Sequence, residues 1–192
     1  MTQDPLLLEI PAQLETERLF LRAPRPGDGS LLNAAVLDSF DEVYQWMYWT
    51  NTRPSLEESE HHVREACAKW MLRMGFQYFV FERGSENLVA SVSLRDIRWD
   101  LPKLECGYWC RTPYCGKGFT TEAVQAVSRM VFDHLHVKRL VISCDPDNVA
   151  SRKIPEKLGF QLEGILRQAR LKPHSHVLGD TCLYARVDGK GL

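Results

Sequence analysis

The sequence predicts a single α/β domain, because runs with strand periodicity and runs with helix periodicity mix along one chain. At 192 residues the chain has the length of one domain, and no repeat, low-complexity segment or linker divides it. Its hydrophobic content of 44% and charged content of 26% are typical of globular proteins. We expect one domain over residues 1–192, with its core at about 15–188.

Each predicted strand is an apolar or alternating run that ends at turn residues. Residues 18–23 alternate apolar and polar side chains until Pro24 ends the run. Residues 76–82 and 88–97 flank a turn, as the two arms of a hairpin do. In chain order the predicted strands are 18–23, 76–82, 88–97, 103–110, 138–144, 160–166 and 176–187, about seven in all.

Four predicted helices lie between these strands. Asp28 is a suitable N-cap for the first, and Ser55 with Glu58 forms a capping box that opens the second. A less regular aromatic stretch, residues 44–49, separates the two. The helices are expected at about 28–40, 55–75, 120–134 and 149–158, with apolar faces at Val63, Ala66, Cys67, Trp70, Met71 and Met74 in the second and Ala123, Val124, Val127, Val131 and Leu135 in the third.

Charge and hydropathy exclude several classes of partner. The formal net charge of -1 and the pI of about 6.6 provide no basic field for a polynucleotide, so we expect no direct nucleic acid binding. Asp4 stands where a signal peptide has positive charge, and no apolar run reaches membrane-spanning length. We therefore expect a cytoplasmic protein with no membrane partner.

The six cysteines do not predict disulfides or a metal centre. They contain no Cys-x-x-Cys pair, and a chain of this size does not need covalent cross-links. His174 and His176 would supply only half of a zinc shell. We expect no bound metal and reduced thiols at Cys67, Cys106, Cys110, Cys115, Cys144 and Cys182.

A glycine-containing loop joins a predicted strand to a predicted helix. Gly116 and Gly118 permit positive φ and close approach of a ligand, and the helix that follows offers unpaired N–H groups to a pyrophosphate. Lys117 adds a positive charge. The ATP-binding P-loop fails because Arg111 occupies its first glycine position, and the dinucleotide motif fails because Thr121 replaces its third glycine. Taken alone, the fragment favours an ordinary tight turn.

Four segments occur in a distinctive order and spacing: ETERLFLRAPRPGD (15–28), ECGYWCRTPYCGKGFTTEAV (105–124), NVASRKIPEKLGF (148–160) and EGILR (163–167). Together they resemble the GNAT superfamily of N-acetyltransferases, and most closely its RimJ/RimL-type branch. This resemblance implies a mixed, mostly antiparallel twisted sheet that splays between the fourth and fifth strands, 104–110 and 138–144. It also implies acetyl-CoA as cosubstrate.

The resemblance also implies where the coenzyme lies. The strand before the loop would run beside the pantetheine arm, the loop amides would hold the pyrophosphate, and the Asn-x-x-Ser of the next helix would contact the far side. The residues implied are Tyr108, Trp109 and Cys110, then Cys115, Gly116, Lys117, Gly118, Phe119 and Thr120, and finally Asn148 and Ser151.

Three residues depart from the pattern of the superfamily. Cys115 replaces the usual Gln, Arg or Trp, and Thr120 replaces a smaller residue, which would crowd the pyrophosphate. Pro155 falls inside the helix 149–158, where it deletes the bond to the Ser151 carbonyl and predicts a kink.

Two residues are candidates for moving protons. Glu105 opens the strand beside the coenzyme and is the candidate base; it is equally typical of an edge carboxylate held by an arginine. Ser151 is the candidate acid for the leaving thiolate, although a serine at a helix start commonly makes a local backbone bond. Tyr108 is a reserve, as is Tyr114. Because the superfamily transfers acetyl directly in a ternary complex, we expect no acetylated cysteine intermediate.

The acceptor amine is the least constrained part of the reaction. We expect a peptide or protein N-terminus, while a small-molecule amine such as a polyamine, an amino acid derivative or an antibiotic, or a non-catalytic acyl-CoA sensor, stays open. Trp46, Tyr48 and Trp49 either wall the acceptor pocket or belong to the core. Homodimers are common in such folds, and the sequence leaves the oligomeric state open. Carboxylates that could bind a polyamine are Asp38, Asp41, Glu42, Glu57, Glu58 and Glu60.

Overall fold

The computed structural model describes residues 4–47 and 52–192, which form one open sheet with helices on both faces. The strands are β1 Gln13–Glu15, β2 Leu19–Arg22, β3 Phe76–Glu82, β4 Leu88–Arg98, β5 Lys103–Cys110, β6 Arg139–Cys144, β7 Gln161–Leu171 and β8 Leu178–Arg186. The α-helices are α1 Gly29–Leu37, α2 Phe40–Tyr44, α3 Leu56–Met71, α4 Phe119–Asp133 and α5 Val149–Lys157, with 3₁₀ turns at Pro5–Leu7 and Thr112–Tyr114.

The sheet confirms the predicted fold class. Its order is β1-β2-β3-β4-β5-β6-β8-β7, and every neighbouring pair is antiparallel except β5 and β6. The described chain has eight strands rather than about seven, because β1 pairs with β2 through only three residues. Such a short strand carries no readable periodicity.

Alternation along the strands divides the core between two faces of the sheet. Even-numbered residues of β3 and β4, such as Tyr78 and Val92, pack with the apolar face of α4. Odd-numbered residues of β3, such as Phe79, pack with α1 and α3. The α4 face is as predicted, but Met71 and Met74 at the end of α3 are 75% and 63% exposed. Met71 is the last residue of α3 and Met74 lies beyond the helix, so the buried helical face does not extend to them.

Helix α1 is capped differently from the prediction. Asp28 stands at the N-cap position, but its carboxylate binds the Arg22 guanidinium at 2.7 and 2.8 Å instead of the helix amides. Glu60 of α3 accepts hydrogen bonds from the Gly27 and Gly29 amides at about 3.0 Å. A carboxylate from a neighbouring helix thus satisfies the first turn of α1 and joins the two helices.

The parallel pairing of β5 with β6 is short. It covers Lys103–Glu105 of β5 and 139–141 of β6, although both strands continue beyond these residues. The predicted splay between the fourth and fifth strands of the sequence is therefore present, and it begins after Glu105. Because β6 does not pair with residues 106–110, the edge of β5 that faces β6 is open to a ligand.

Pro155 lies inside α5 and leaves the Ser151 carbonyl without its helical donor. The Tyr108 hydroxyl of β5 donates to that carbonyl at 2.9 Å and so replaces the missing N–H. The Ser151 hydroxyl in turn contacts the Tyr108 oxygen at 3.3 Å. The proline therefore ties α5 to the strand at the splay.

We predict an energetic coupling between Tyr108 and Pro155. Tyr108→Phe leaves the Ser151 carbonyl without a donor and should lower the free energy of unfolding by about 1 kcal/mol. Pro155→Ala supplies a backbone N–H, so it should recover that loss in the double variant. Urea unfolding of the four proteins measures the coupling. As a control, Tyr184→Phe removes a hydroxyl that binds Glu156 of the same helix, and it should show no coupling to Pro155→Ala.

Candidate active site

The loop before α4 presents a row of backbone N–H groups. Among the described residues, the amides of 116–121 donate to no protein acceptor, and the first helical bond is that of Glu122 to the Gly118 carbonyl at 3.1 Å. Gly116 and Gly118 have φ of +78° and +81°, which only glycine adopts without strain. Unpaired amides at a helix N-terminus form an anion site that suits a pyrophosphate.

Two residues assigned to this loop have other partners as well. The Cys115 amide donates to the Thr112 carbonyl at 3.1 Å, so the row of available amides begins after it. The Thr120 side chain is buried and bonds to the Cys110 thiol. Its bulk therefore points into the protein, and the expected crowding of the pyrophosphate does not arise.

Charges around the loop are balanced. Glu122 in the first turn of α4 would repel a phosphate, but its carboxylate binds the Arg18 guanidinium at 2.6 Å and the Thr16 hydroxyl at 2.6 Å. These contacts lower the pKa of Glu122 against the opposing effect of its burial. Arg18 also donates to the Lys117 carbonyl at 3.0 Å. Lys117 lies over the Tyr114 ring, which leaves its charge at the exposed loop.

The open edge of β5 carries the three residues predicted to flank the pantetheine arm. Trp109 packs against the α1 and α3 side of the sheet, whereas Tyr108 points to the opposite face and contacts α5. Burial raises the pKa of Tyr108, so the phenol stays protonated. Burial also raises the pKa of Cys110 to about 12, which disfavours a nucleophilic thiolate there.

Asn148 and Ser151 begin α5 beside this edge. The Asn148 side chain accepts the Ser151 amide at 3.0 Å and is therefore the N-cap of the helix. The Ser151 hydroxyl is half-buried and contacts the Tyr108 oxygen, and it also bonds to the Cys144 thiol. Burial raises the pKa of that thiol to about 11. Ser151 and Tyr108 are thus two protonated hydroxyls joined to each other at the splay.

Glu105 lies on the other face of the sheet. It is the last residue of β5 that pairs with β6, opposite Val141, and on β4 it faces Arg95. The Arg95 guanidinium binds Glu105 Oε1 at 2.6 Å. Glu105 is therefore a carboxylate held by a neighbouring arginine, which was the alternative to its role as the base. The candidate base and the candidate acid stand on opposite sides of the sheet.

A cavity of about 710 Å³ lies between α3 and the sheet on the Glu105 face. Its floor includes Gln77, Ser91, Ser93 and the strand residues Tyr108 and Trp109, so it extends as far as β5. Ser91 and Ser93 alternate with buried apolar residues along β4, and this places both hydroxyls in the cavity.

His62 stands on the α3 wall of the cavity. Its Nε2 lies 3.2 Å from Gln77 Oε1, and Gln77 Nε2 donates to Ser91 at 3.0 Å. Desolvation lowers the pKa of His62, which favours the neutral imidazole. Lys69 also stands on this wall, and its ammonium pairs with Glu65 at 2.8 Å.

Of the three aromatic residues proposed for the pocket, the structure describes Trp46. Trp46 is half-buried but does not line this cavity, and Tyr48 and Trp49 lie outside the described residues. Of the six carboxylates that could bind a polyamine, Glu58 alone lines the cavity, and it accepts the Ser55 amide of the capping box. Asp38, Asp41 and Glu60 pair with arginines.

Within residues 4–47 and 52–192 no group of three or more His, Cys, Asp or Glu side chains is arranged to hold a metal ion. In the same residues no helix is both long enough and apolar enough to cross a membrane.

Comparison with known proteins identifies the family of the chain. The profile of the acetyltransferase (GNAT) domain matches residues 18–161, which include the splay, the amide loop and α5. The chain belongs to the GNAT acetyltransferase family. The resemblance stated from the sequence is thereby confirmed, and the protein is an acetyl-CoA-dependent N-acetyltransferase.

Similar proteins include ribosomal-protein acetyltransferases of the RimJ/RimL type. The ribosomal-protein-serine acetyltransferase of Escherichia coli (strain K12) is 26% identical over 144 residues, covering 74% of this chain and 79% of that protein. The solved structure of RimL, a ribosomal α-N-protein acetyltransferase in complex with coenzyme A, has a TM-score of 0.84 at 25% identity, covering 94% and 98% of the chains. The microcin C7 self-immunity acetyltransferase MccE, in complex with acetyl-CoA and AMP, has a TM-score of 0.85 at 22% identity, covering 92% and 97%.

Several residues of this GNAT site escaped the sequence analysis. Arg18 sits 99 residues from the loop whose carbonyl it binds, and His62 and Arg95 reach the cavity from separate elements. One signal was readable: Ser91 and Ser93 make β4 polar at alternate positions, which indicated a strand with one polar face. That face lines a cavity rather than the protein surface.

We predict that Gly118→Gln weakens coenzyme A binding by at least about tenfold. A side chain at this positive φ strains the loop, and its Cβ would stand 3.4 Å from Arg18, so the amides lose their arrangement. Isothermal titration calorimetry measures the affinity. Gly84→Gln is the matched control, because its φ of +79° is similar and it lies in the turn between β3 and β4. If the two variants bind coenzyme A with equal affinity, the loop is not part of the coenzyme site.

Proposed function

We propose that the acceptor of this acetyltransferase is the N-terminal amine of a peptide or protein. The observation that carries the proposal is the cavity of about 710 Å³ on the Glu105 face, which reaches β5 at Tyr108 and Trp109, next to the splay. The relatives named for acetylating ribosomal proteins support this class of acceptor. We further propose one domain over 1–192, a cytoplasmic location, a homodimer and no nucleic acid contact.

The coenzyme is proposed to lie along the open edge of β5. Its pyrophosphate would take the amides of 116–121, and its pantetheine arm would run from Cys110 toward the end of the β5–β6 pairing. The thioester would then lie near Glu105, between the cavity on one face and Ser151 on the other. Backbone groups of β5 beyond its pairing with β6 would bind the amides of the arm.

The proposed reaction is direct attack in a ternary complex. Glu105 takes a proton from the incoming ammonium, and the neutral nitrogen attacks the acetyl carbon. The C–S bond breaks, and the sulfur takes its proton from Ser151, which donates to the Tyr108 oxygen at 3.3 Å in the free enzyme. The nitrogen loses its second proton to solvent as the amide forms, and solvent returns one proton to Ser151. Holding the two reactants in line supplies much of the acceleration.

A panel of amines tests the acceptor class. An α-amine has a pKa of about 8 and a lysine amine about 10.4, so near pH 7.5 the neutral fraction of the α-amine is on the order of 100 times larger. Peptides with a free N-terminus should therefore release thiol from acetyl-CoA much faster than N-blocked lysine peptides or spermidine. A faster reaction with spermidine would reassign the acceptor to small molecules, and the absence of thiol release with every amine of the panel would indicate the sensor.

Ser151→Ala tests the proton donor. If Ser151 protonates the thiolate, kcat should fall by about 10²–10⁴-fold while KM for acetyl-CoA stays unchanged, because the interaction forms mainly in the transition state. Tyr108→Phe breaks the same contact but keeps the serine hydroxyl, so its kcat should fall much less. A loss below tenfold in Ser151→Ala would give Ser151 a packing role, and an equal loss in both variants would make Tyr108 the donor.

A further inference from the structure

Arg95 separates Glu105 from the acceptor cavity. The Arg95 side chain is 54% exposed and lines the cavity, whereas the Glu105 side chain is only 19% exposed and is not among the lining residues. The guanidinium binds Glu105 Oε1 at 2.6 Å. An amine that enters the cavity therefore meets a cation before it reaches the carboxylate.

Gly107 allows Arg95 to take this position. A Cβ on Gly107 would lie 2.7 Å from Arg95 Nη1 and 3.3 Å from its Cζ, so the guanidinium rests directly on the bare backbone of β5. Gly107 faces Ser93 on β4, two residues from the Glu105–Arg95 pair along each strand. The absent side chain leaves the space that Arg95 occupies.

Asp96 offers Arg95 a second partner. Its backbone has φ of +51° at an irregularity of the β4–β5 pairing, between Arg95 and Arg98. In a regular strand consecutive side chains point to opposite faces, but here Asp96 lines the same cavity as Arg95. Its carboxylate lies 3.9 Å from Arg95 Nε, at the outer limit of an ion pair.

We propose that Arg95 is a positioning residue that covers Glu105 in the free enzyme and moves onto Asp96 when the acceptor ammonium binds. This inference rests on the proposed function, with Glu105 as the proton acceptor. The ammonium replaces the guanidinium beside Glu105, so the charge at that carboxylate stays balanced while Arg95 keeps an anionic partner. An N–H bond of the ammonium then breaks, an O–H bond forms on Glu105, and the nitrogen lone pair attacks the thioester.

The other charged groups at the cavity do not compete for Arg95. Glu65 and Lys69 of α3 form their own pair at 2.8 Å, and Glu58 is engaged in the capping box. His62 contacts Gln77 through its Nε2 at 3.2 Å, and desolvation lowers its pKa. Glu105 and Asp96 are thus the two carboxylates of the cavity region that contact Arg95.

Arg95→Met and Asp96→Asn test the exchange through kcat/KM for a free-terminus peptide. Removing the guanidinium uncovers Glu105, so Arg95→Met should raise kcat/KM by about two- to fivefold, the size expected for a partly exposed ion pair. Asp96→Asn removes the second partner and should lower kcat/KM by a similar factor. In the Arg95→Met background Asp96→Asn should leave kcat/KM unchanged, because the guanidinium that Asp96 would bind is absent.

Matched controls lie on the same strand. Arg98 pairs with Asp100 at 2.7 Å, with exposures of 56% and 69%, and neither residue lines the cavity. Arg98→Met and Asp100→Asn should leave kcat/KM unchanged. Gly107→Ala provides an independent route, since its methyl group displaces Arg95 without removing the charge, and it should raise kcat/KM as Arg95→Met does.

The outcomes separate this inference from the proposed function. Suppose that the wild-type protein transfers acetyl but Arg95→Met is no faster, or that Asp96→Asn still lowers kcat/KM without Arg95. The proposed exchange is then wrong, while the proposed acetyl transfer to a peptide is retained. A rise in KM for the peptide alone in Arg95→Met would make Arg95 a binding residue instead and would also overturn the exchange. If the wild-type protein transfers acetyl to no peptide, both fail.

Discussion

The end of the β5–β6 pairing after Glu105 is the constraint on which the site depends. Parallel strands that stayed paired would bury the inner edge of β5 and close the sheet to ligands. Because pairing stops, the edge of β5 that faces β6 beyond Glu105 lies next to the amides of 116–121. The energetic cost is the strand hydrogen bonds that β5 and β6 do not form there, and a bound coenzyme would supply bonds in their place.

The open edge remains ordered because neighbouring elements hold it from both sides. Tyr108 reaches α5 through the Ser151 carbonyl that Pro155 leaves unbonded, and Arg18 ties β2 to the loop and to Glu122 at the start of α4. In each case a side chain supplies a contact that regular secondary structure lacks. The residues that look irregular in the sequence, a proline within a helix and an acid beside an anion site, are the points of attachment.

Local features of the sequence predicted most of the fold. Periodicity identified the strands and the α4 face, and the capping box at Ser55 is present as expected. What local pattern could not show is which residues meet across the sheet, since Arg18 and Glu122 are 104 residues apart. The cavity could not be predicted either, because its lining residues come from distant parts of the chain. Arg95 and Glu105 are 10 residues apart and could be placed together only once the β4–β5 register was known.

The two faces of the sheet divide the chemistry of the proposed reaction. Glu105 and the cavity lie on the α3 face, and Ser151 with Tyr108 lies on the α4 and α5 face. A thioester in the splay would then be approached by the amine from one side and would release its sulfur toward protonated hydroxyls on the other. Because the β5 backbone stands between these groups, the proton taken from the amine and the proton given to the sulfur follow separate routes on the two faces. One carboxylate and the Ser151 hydroxyl can therefore act as base and acid in a single transfer.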